Sequence, residues 1–129
     1  MKRSNFAVAH GMHNDDNYST AADIGRLCCA AMQNDMFRSI VKESSHKYNS
    51  IIHEGHVYEW ENTNLLLKQG YTGIKTGITG TAGPCLAAST IHNNYHVVVV
   101  VLSCCSMDSR WFEVPKLVIW GIKKIERIK

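Results

Sequence analysis

At 129 residues, 45% hydrophobic and 19% charged, the chain is long enough for one small domain with a real core and reads as soluble and globular. Its formal net charge of +3 is too mild to argue for nucleic acid, and no apolar run reaches the roughly 18 residues of a membrane-spanning helix. Five cysteines, Cys28-Cys29, Cys85 and Cys104-Cys105, are odd in number and irregular in spacing, which predicts reduced, mostly buried thiols rather than a disulfide framework.

Residues 1–18 are polar and turn-rich, with His10-Gly11 and Asn14-Asp15-Asp16-Asn17, and Met1-Lys2-Arg3-Ser4-Asn5-Phe6 holds no apolar signal-peptide core. Thr20 with Asp23 three positions on is a helix-start pattern. From there to Gln33, Ile24, Leu27, Cys28, Ala31 and Met32 recur at helical spacing, predicting a helix with one buried face. Asn34 or Asp35 caps a second, short helix carrying Met36, Phe37, Ile40 and Val41. Residues 44–62 are polar and His-rich, with a strand candidate over 56–60. Asn62-Thr63-Asn64 followed by Leu65-Leu66-Leu67 reads as a turn and one short turn of helix.

Gly70 and Gly73 then punctuate the approach to a strand over 73–79. A second strand over 84–91 follows the turn at Gly80–Gly83, and His92-Asn93-Asn94 is a hairpin signal into a third over 95–102. The third contains Val97-Val98-Val99-Val100-Val101, whose lack of alternation predicts burial on both faces of a helix-covered sheet. Residues 108–129 form an amphipathic helix with Val114, Leu117, Val118, Ile122 and Ile125 on its apolar face. Pro115 sets its regular start near Val114, with Pro115 in the first turn. Lys123, Lys124 and Arg127 suit the negative end of its dipole. No repeat or linker interrupts the order, so residues 1–129 read as one domain of the α+β class. Three antiparallel strands with a valine run leave an aggregation-prone edge unless further strands or a protein partner cover it.

The stretch that carries chemistry is Gly73-Ile74-Lys75-Thr76-Gly77-Ile78-Thr79. It sets a cation, a hydroxyl and a residue without a side chain in succession on one strand. Neighbouring strand side chains point to opposite faces, so Lys75 and Thr76 share a face only if the strand twists sharply. Gly77 lets a ligand or another backbone come close. Lysine, threonine hydroxyl and bare backbone N–H groups together suit a carboxylate-bearing or acyl substrate.

Six ordered pieces extend this signal. His10-Gly11-Met12, Tyr18-Ser19-Thr20-Ala21-Ala22-Asp23, Trp60-Glu61-Asn62-Thr63-Asn64-Leu65-Leu66, the Lys75 strand, Ala82-Gly83 and Trp120-Gly121 resemble, in order and spacing, the serine-type D-alanyl-D-alanine carboxypeptidases of peptidase family S11, the low-molecular-mass penicillin-binding proteins. The resemblance implies the β-lactamase/transpeptidase fold, a five-stranded antiparallel sheet with helices on both faces. This chain would supply only its last three strands, the C-terminal helix and part of the helical region. It also implies a chemistry of three elements, S-x-x-K, S-x-N and K-T-G. By similarity Lys75 supplies positive charge, Thr76 hydrogen-bonds the substrate carboxylate, Gly77 leaves room, and the Ile78 N–H is one oxyanion donor. Arg110 stands where the family often holds the terminal carboxylate, a placement that Pro115 unsettles.

The other two elements are expected upstream of what this chain holds. Ser39-Ile40-Val41-Lys42 and Ser44-Ser45-His46-Lys47 match S-x-x-K, but both follow the Ser19–Asp23 landmark that the family's nucleophile precedes, and no S-x-N occurs. The chain alone is therefore expected to be inactive: a part of a D-alanyl-D-alanine carboxypeptidase or, alternatively, a non-catalytic descendant serving as a binding or structural subunit. The expected ligands are a D-Ala-D-Ala-terminated peptide or a β-lactam, with no cofactor and no nucleic acid; the family is normally extracytoplasmic. His10/His13 and His53/His56 are spaced like metal pairs but lack a third ligand, so no metal is expected. Cys85 is expected to be packed rather than reactive. His10-Gly11 is expected to shape a loop, and Trp60 and Trp120 to pack in the core or against a helix.

Overall fold

The computed structural model of the chain describes residues 1–128. Lys129, the last residue of the expected C-terminal helix, lies outside the described residues. In order the elements are α1 (Ala21–Ala31), α2 (Asp35–Val41), β1 (Ser45–Asn49), β2 (Val57–Glu61), a 3-10 turn (Leu65–Gln69), β3 (Gly73–Thr79), β4 (Gly83–His92), β5 (Tyr95–Val101) and α3 (Ser109–Glu126). Both N-terminal helices start where the caps predict. Thr20 Oγ1 accepts from the Asp23 N–H at 3.2 Å, and Asn34 Oδ1 accepts from the Phe37 N–H at 2.9 Å.

The sheet is antiparallel, in the order β3-β4-β5. Its β4–β5 hairpin turns on Asn93 and Asn94, with φ of 48° and 62°, the left-handed pair that matches strand twist. Directly opposed residues of an antiparallel pair share a face. Leu86↔Val101 and Ala88↔Val99 therefore look one way, and Ala87↔Val100 the other. On the first face Leu66, Leu86, Ala88 and Val99 pack with Val114, Val118 and Ile122 of α3. On the second, Ala87 packs with Cys28 and Ile74, bordered by Ile24, Phe37, Val41, Val98 and Val100. The valine run is thus split between two helical layers, as its lack of alternation predicts.

Three expectations need correction. The C-terminal helix begins at Ser109, well ahead of Val114, and Pro115 lies inside it. Proline in a helix interior costs about 3 kcal/mol. The sequence buries Arg110, Val114, Val118 and Ile122 at a strict four-residue spacing, and that stripe outweighs the loss. The polar segment 44–62 contains two strands rather than one: β1 pairs with β2, and every residue of both is exposed. Trp60 and Trp120 are 53% and 60% exposed, so neither belongs to the core.

All five thiols are free, and Cys29 and Cys105 are exposed, unlike the buried Cys28. Burial pushes the Cys28 thiol up, and the neighbouring Cys29 adds to the shift. No helix among the described residues is long and apolar enough to cross a membrane.

Asp23 ties the N-terminal segment to α1. Its Oδ2 accepts from the Arg3 N–H at 2.8 Å and from Ser4 Oγ at 2.9 Å, while Oδ1 accepts from Arg26 Nη1 at 2.8 Å. The Arg3 N–H is the largest influence, and it holds the carboxyl below its usual range against the opposing pull of burial; Ser4, the N-terminal charge and Arg26 add to the lowering. A lowered folded pKa stabilises the fold above the unfolded value, and that stability is lost as pH falls through the folded one. Melting curves should therefore lose stability below about pH 4. Asp23→Asn should melt lower at neutral pH and fall less steeply on acidification; an unchanged acid limb would remove Asp23 from this role.

Candidate functional site

Gly73 opens β3 in a conformation suited to glycine, with φ of 141°. A Cβ there would lie 2.7 Å from Val41 Cγ2, so the end of α2 sits directly on the start of the strand. Asn64 fixes the same point from the other direction. Its buried side chain donates from Nδ2 to the Gly73 carbonyl at 3.0 Å and accepts at Oδ1 from the Leu66 N–H at 3.1 Å. One step earlier, the Thr63 hydroxyl hydrogen-bonds the Thr76 hydroxyl.

The register places Lys75 opposite Ala87 and Thr76 opposite Leu86. Lys75 thus belongs to the face of α1 and α2, and Thr76 to the face of α3. Ile74, opposite Ala88 in the same register, nonetheless packs with Cys28 and Ala87 on the α1–α2 side, so strict alternation does not hold at the start of β3. β3 is an outer strand of the sheet, so both residues lie on a strand with one open edge. Lys75 is exposed, and its Nζ folds back to donate to the Thr76 carbonyl. Gly77 and Ile78 are exposed as well, and a Cβ built on Gly77 would meet no atom within 4 Å. The missing side chain at Gly77 therefore serves no packing need within the described residues.

Arg110, from the first turn of α3, is only 6% exposed. Its Nη1 donates to the carbonyls of Cys85 at 3.2 Å and Gly77 at 3.4 Å, a cross-strand pair. The guanidinium lies 4.5 Å from the Trp111 ring centroid, and Nε is buried with no hydrogen-bond partner. No carboxylate among the described residues forms an ion pair with Arg110. Cys85 is half-buried, and its sulfur accepts from the Ser103 N–H at 3.5 Å. Beside it, burial is the main influence raising the Cys104 thiol, which leaves it protonated near neutral pH.

Four of the five expected substrate-binding residues, Lys75 to Ile78, therefore line one open strand edge, and Arg110 reaches the same Gly77 position from the α3 side. Sequence reasoning missed the supports Thr63 and Asn64, although Asn62-Thr63-Asn64 was legible as a turn directly before the leucines. The two S-x-x-K matches form no such assembly. Ser39 Oγ donates to the Met36 carbonyl within α2, and Lys47 pairs with Glu59 across the β1–β2 hairpin. His10 Nδ1 accepts from the Met12 N–H at 3.0 Å, the loop-shaping contact expected of His10-Gly11, and His13 meets Thr81 just behind β3.

Comparison with known proteins gives a consistent result. The model of the D-alanyl-D-alanine carboxypeptidase family matches residues 1–106. The chain is 29% identical over 126 residues to a D-alanyl-D-alanine carboxypeptidase of Streptomyces sp. (strain K15), covering 94% of this chain and 43% of that protein. It is 30% identical over 132 residues to D-alanyl-D-alanine carboxypeptidase DacA of Escherichia coli (strain K12), covering 99% of this chain and 31% of that one. A solved mutant of the Streptomyces K15 DD-transpeptidase superposes with a TM-score of 0.88 at 29% identity, over 95% of this chain and 49% of that structure. The chain thus spans between about a third and a half of the length of these relatives.

Proposed function

The chain belongs to the D-alanyl-D-alanine carboxypeptidase family, and from that premise we propose that β3 with Arg110 is the substrate-binding wall of a serine D,D-carboxypeptidase active site. The reaction of the whole site is acylation of a serine by the terminal D-Ala–D-Ala bond of a peptidoglycan stem peptide, release of D-alanine, and hydrolysis of the acyl-enzyme. The peptide adds along the open edge of β3, where Gly77 leaves room for its backbone. Thr76 donates to the terminal carboxylate, the Ile78 N–H meets the developing oxyanion, and Lys75 supplies positive charge close to the reacting centre.

The observation that carries this reading is Arg110. A nearly buried guanidinium without a carboxylate partner is costly unless an anion completes it. It stands beside the strand whose residues suit a carboxylate-bearing substrate. That is the environment expected of a site completed by its ligand.

The sequence holds no S-x-N, and among the described residues no serine bonds a lysine, so this polypeptide alone should form no covalent adduct with a labelled penicillin. Turnover needs a nucleophile from outside them. The test is a fusion in which the upstream part of the Streptomyces K15 enzyme precedes this chain. The fusion should be acylated by the labelled penicillin. Arg110→Leu should slow acylation by about tenfold to a hundredfold, the worth of a charge-assisted hydrogen-bonded pair. An analogue lacking the carboxylate should react equally with both. Equal slowing for both compounds would overturn the carboxylate role of Arg110.

A further inference from the structure

The β1–β2 hairpin stands clear of both hydrophobic clusters, yet it carries an ordered aromatic surface. Tyr58 and Trp60, two residues apart on β2, have ring centroids 5.6 Å apart and planes within 8° of parallel. His46, directly across the ladder from Trp60, stacks at 6.3 Å, and His56 meets Tyr58 edge-on at 4.5 Å. Tyr48 lies opposite Tyr58 and extends the same face. The neighbouring face carries the Lys47–Glu59 ion pair instead, so the two sides of the hairpin differ in kind.

Two grooves flank this stack. One, of about 500 Å³, is lined by Trp60 and His46 together with Glu43, Glu61 and Asn62. The other, of about 370 Å³, lies at the far end and is lined by Tyr48, Tyr58, Ser50, His53 and the exposed Ile51 and Ile52; the carboxylates and the amide belong to the first groove. Aromatic faces bordered by carboxylate and amide acceptors are the chemistry that recognises a sugar. The negative ring face attracts the C–H groups of a pyranose, and the carboxylates and amides accept from its hydroxyls. Glu43 Oε2 already meets His46 Nδ1 at 3.1 Å; a purely apolar partner would leave Glu61 unpaired, and a polyanion would be repelled by both carboxylates.

The hairpin is also rooted at the proposed substrate strand. Asn62 Nδ2 donates to the Glu43 carbonyl at 2.9 Å, closing the hairpin base, and the next residue, Thr63, bonds the Thr76 hydroxyl. A ligand on the aromatic face would run outward from the place where a stem peptide is expected to bind. We infer that the Tyr58–Trp60 face of the β1–β2 hairpin is a glycan subsite that holds the N-acetylated amino-sugar strand from which the stem peptide hangs. This rests on the reading of β3 as a stem-peptide site, and it adds the sugar portion of the same substrate.

The test is titration of the full chain with the tetrasaccharide of N-acetylglucosamine, followed by calorimetry and by the NMR shifts of the hairpin amides and the Trp60 indole N–H. Binding should perturb the hairpin signals. Trp60→Ala should weaken it by about tenfold or more, as expected for the central aromatic anchor of an interface. Trp60→Phe, which keeps a ring and the strand pairing, should retain most of the affinity, and Lys75→Ala should leave it unchanged. Unperturbed hairpin signals, equal affinity in Trp60→Ala and Trp60→Phe, or concentration-dependent self-association abolished by Trp60→Ala would each overturn the subsite. The fusion's penicillin acylation reports on β3 separately. Loss of that reactivity with sugar binding intact defeats the peptide-site reading, and the converse defeats only the glycan subsite.

Discussion

Replacing Lys75 with alanine in the fusion should lower the acylation rate by a labelled penicillin about a thousandfold, the scale of removing one preorganised charge-stabilising group. The same change should leave the melting temperature of the isolated chain almost unmoved. Lys75 is exposed, and its one hydrogen bond runs to the adjacent Thr76 carbonyl, so the fold draws little from it. The contrast is what makes the measurement decisive. A lysine on an outer strand has an ordinary use in blunting edge-to-edge association, and that role predicts unchanged chemistry with increased aggregation. Acylation retained in Lys75→Ala would assign Lys75 to edge protection and strip it from the site.

The bounds of β3 were legible to the residue, because Gly73 and the Lys75-Thr76-Gly77 run are local signals that no distant contact overrides. The valine run was equally legible, since five β-branched residues in succession fit only a strand with helices on both sides. The start of α3 was not. Pro115 argues locally for a late start, whereas the helix is decided by what Arg110, Val114, Val118 and Ile122 bury against the sheet. The first strand of the hairpin, β1, was also hidden: Ser45-His46-Lys47-Tyr48-Asn49 has no apolar alternation, and its conformation comes from pairing with β2. Trp60 misled for a related reason. Tryptophan is a core residue by default, and here the hairpin that carries it leaves the core altogether. At the site, the sequence named the residues on β3 and Arg110 but not Thr63 and Asn64, whose contribution is a contact across a turn rather than a motif.

That support leads to the largest expected effect on stability, at Leu66. The side chain is 0% exposed and sits where β4, β5 and α3 converge, in contact with the cluster of Leu86, Ala88, Val99, Val114, Val118 and Ile122. Its own backbone is committed as well, since its N–H donates to Asn64 and its carbonyl accepts from the Tyr71 N–H at 3.2 Å. Leu66→Ala should cost about 3 to 5 kcal/mol, because the surrounding strand and helix cannot both collapse into the space. Folded proteins hold only about 5 to 15 kcal/mol in total, so urea denaturation should show the midpoint fall by roughly a third or more. Leu65→Ala, at a neighbouring residue that is 50% exposed, should move it little. The Leu66 variant should also loosen the start of β3, since Asn64 holds the Gly73 carbonyl from the turn that Leu66 anchors. Faster amide exchange at Gly73 to Lys75 in Leu66→Ala than in Leu65→Ala would show that the core sets the position of the substrate strand. Equal exchange in the two variants would mean that β3 is held by β4 alone, and the Asn64 contact would then be incidental to the site.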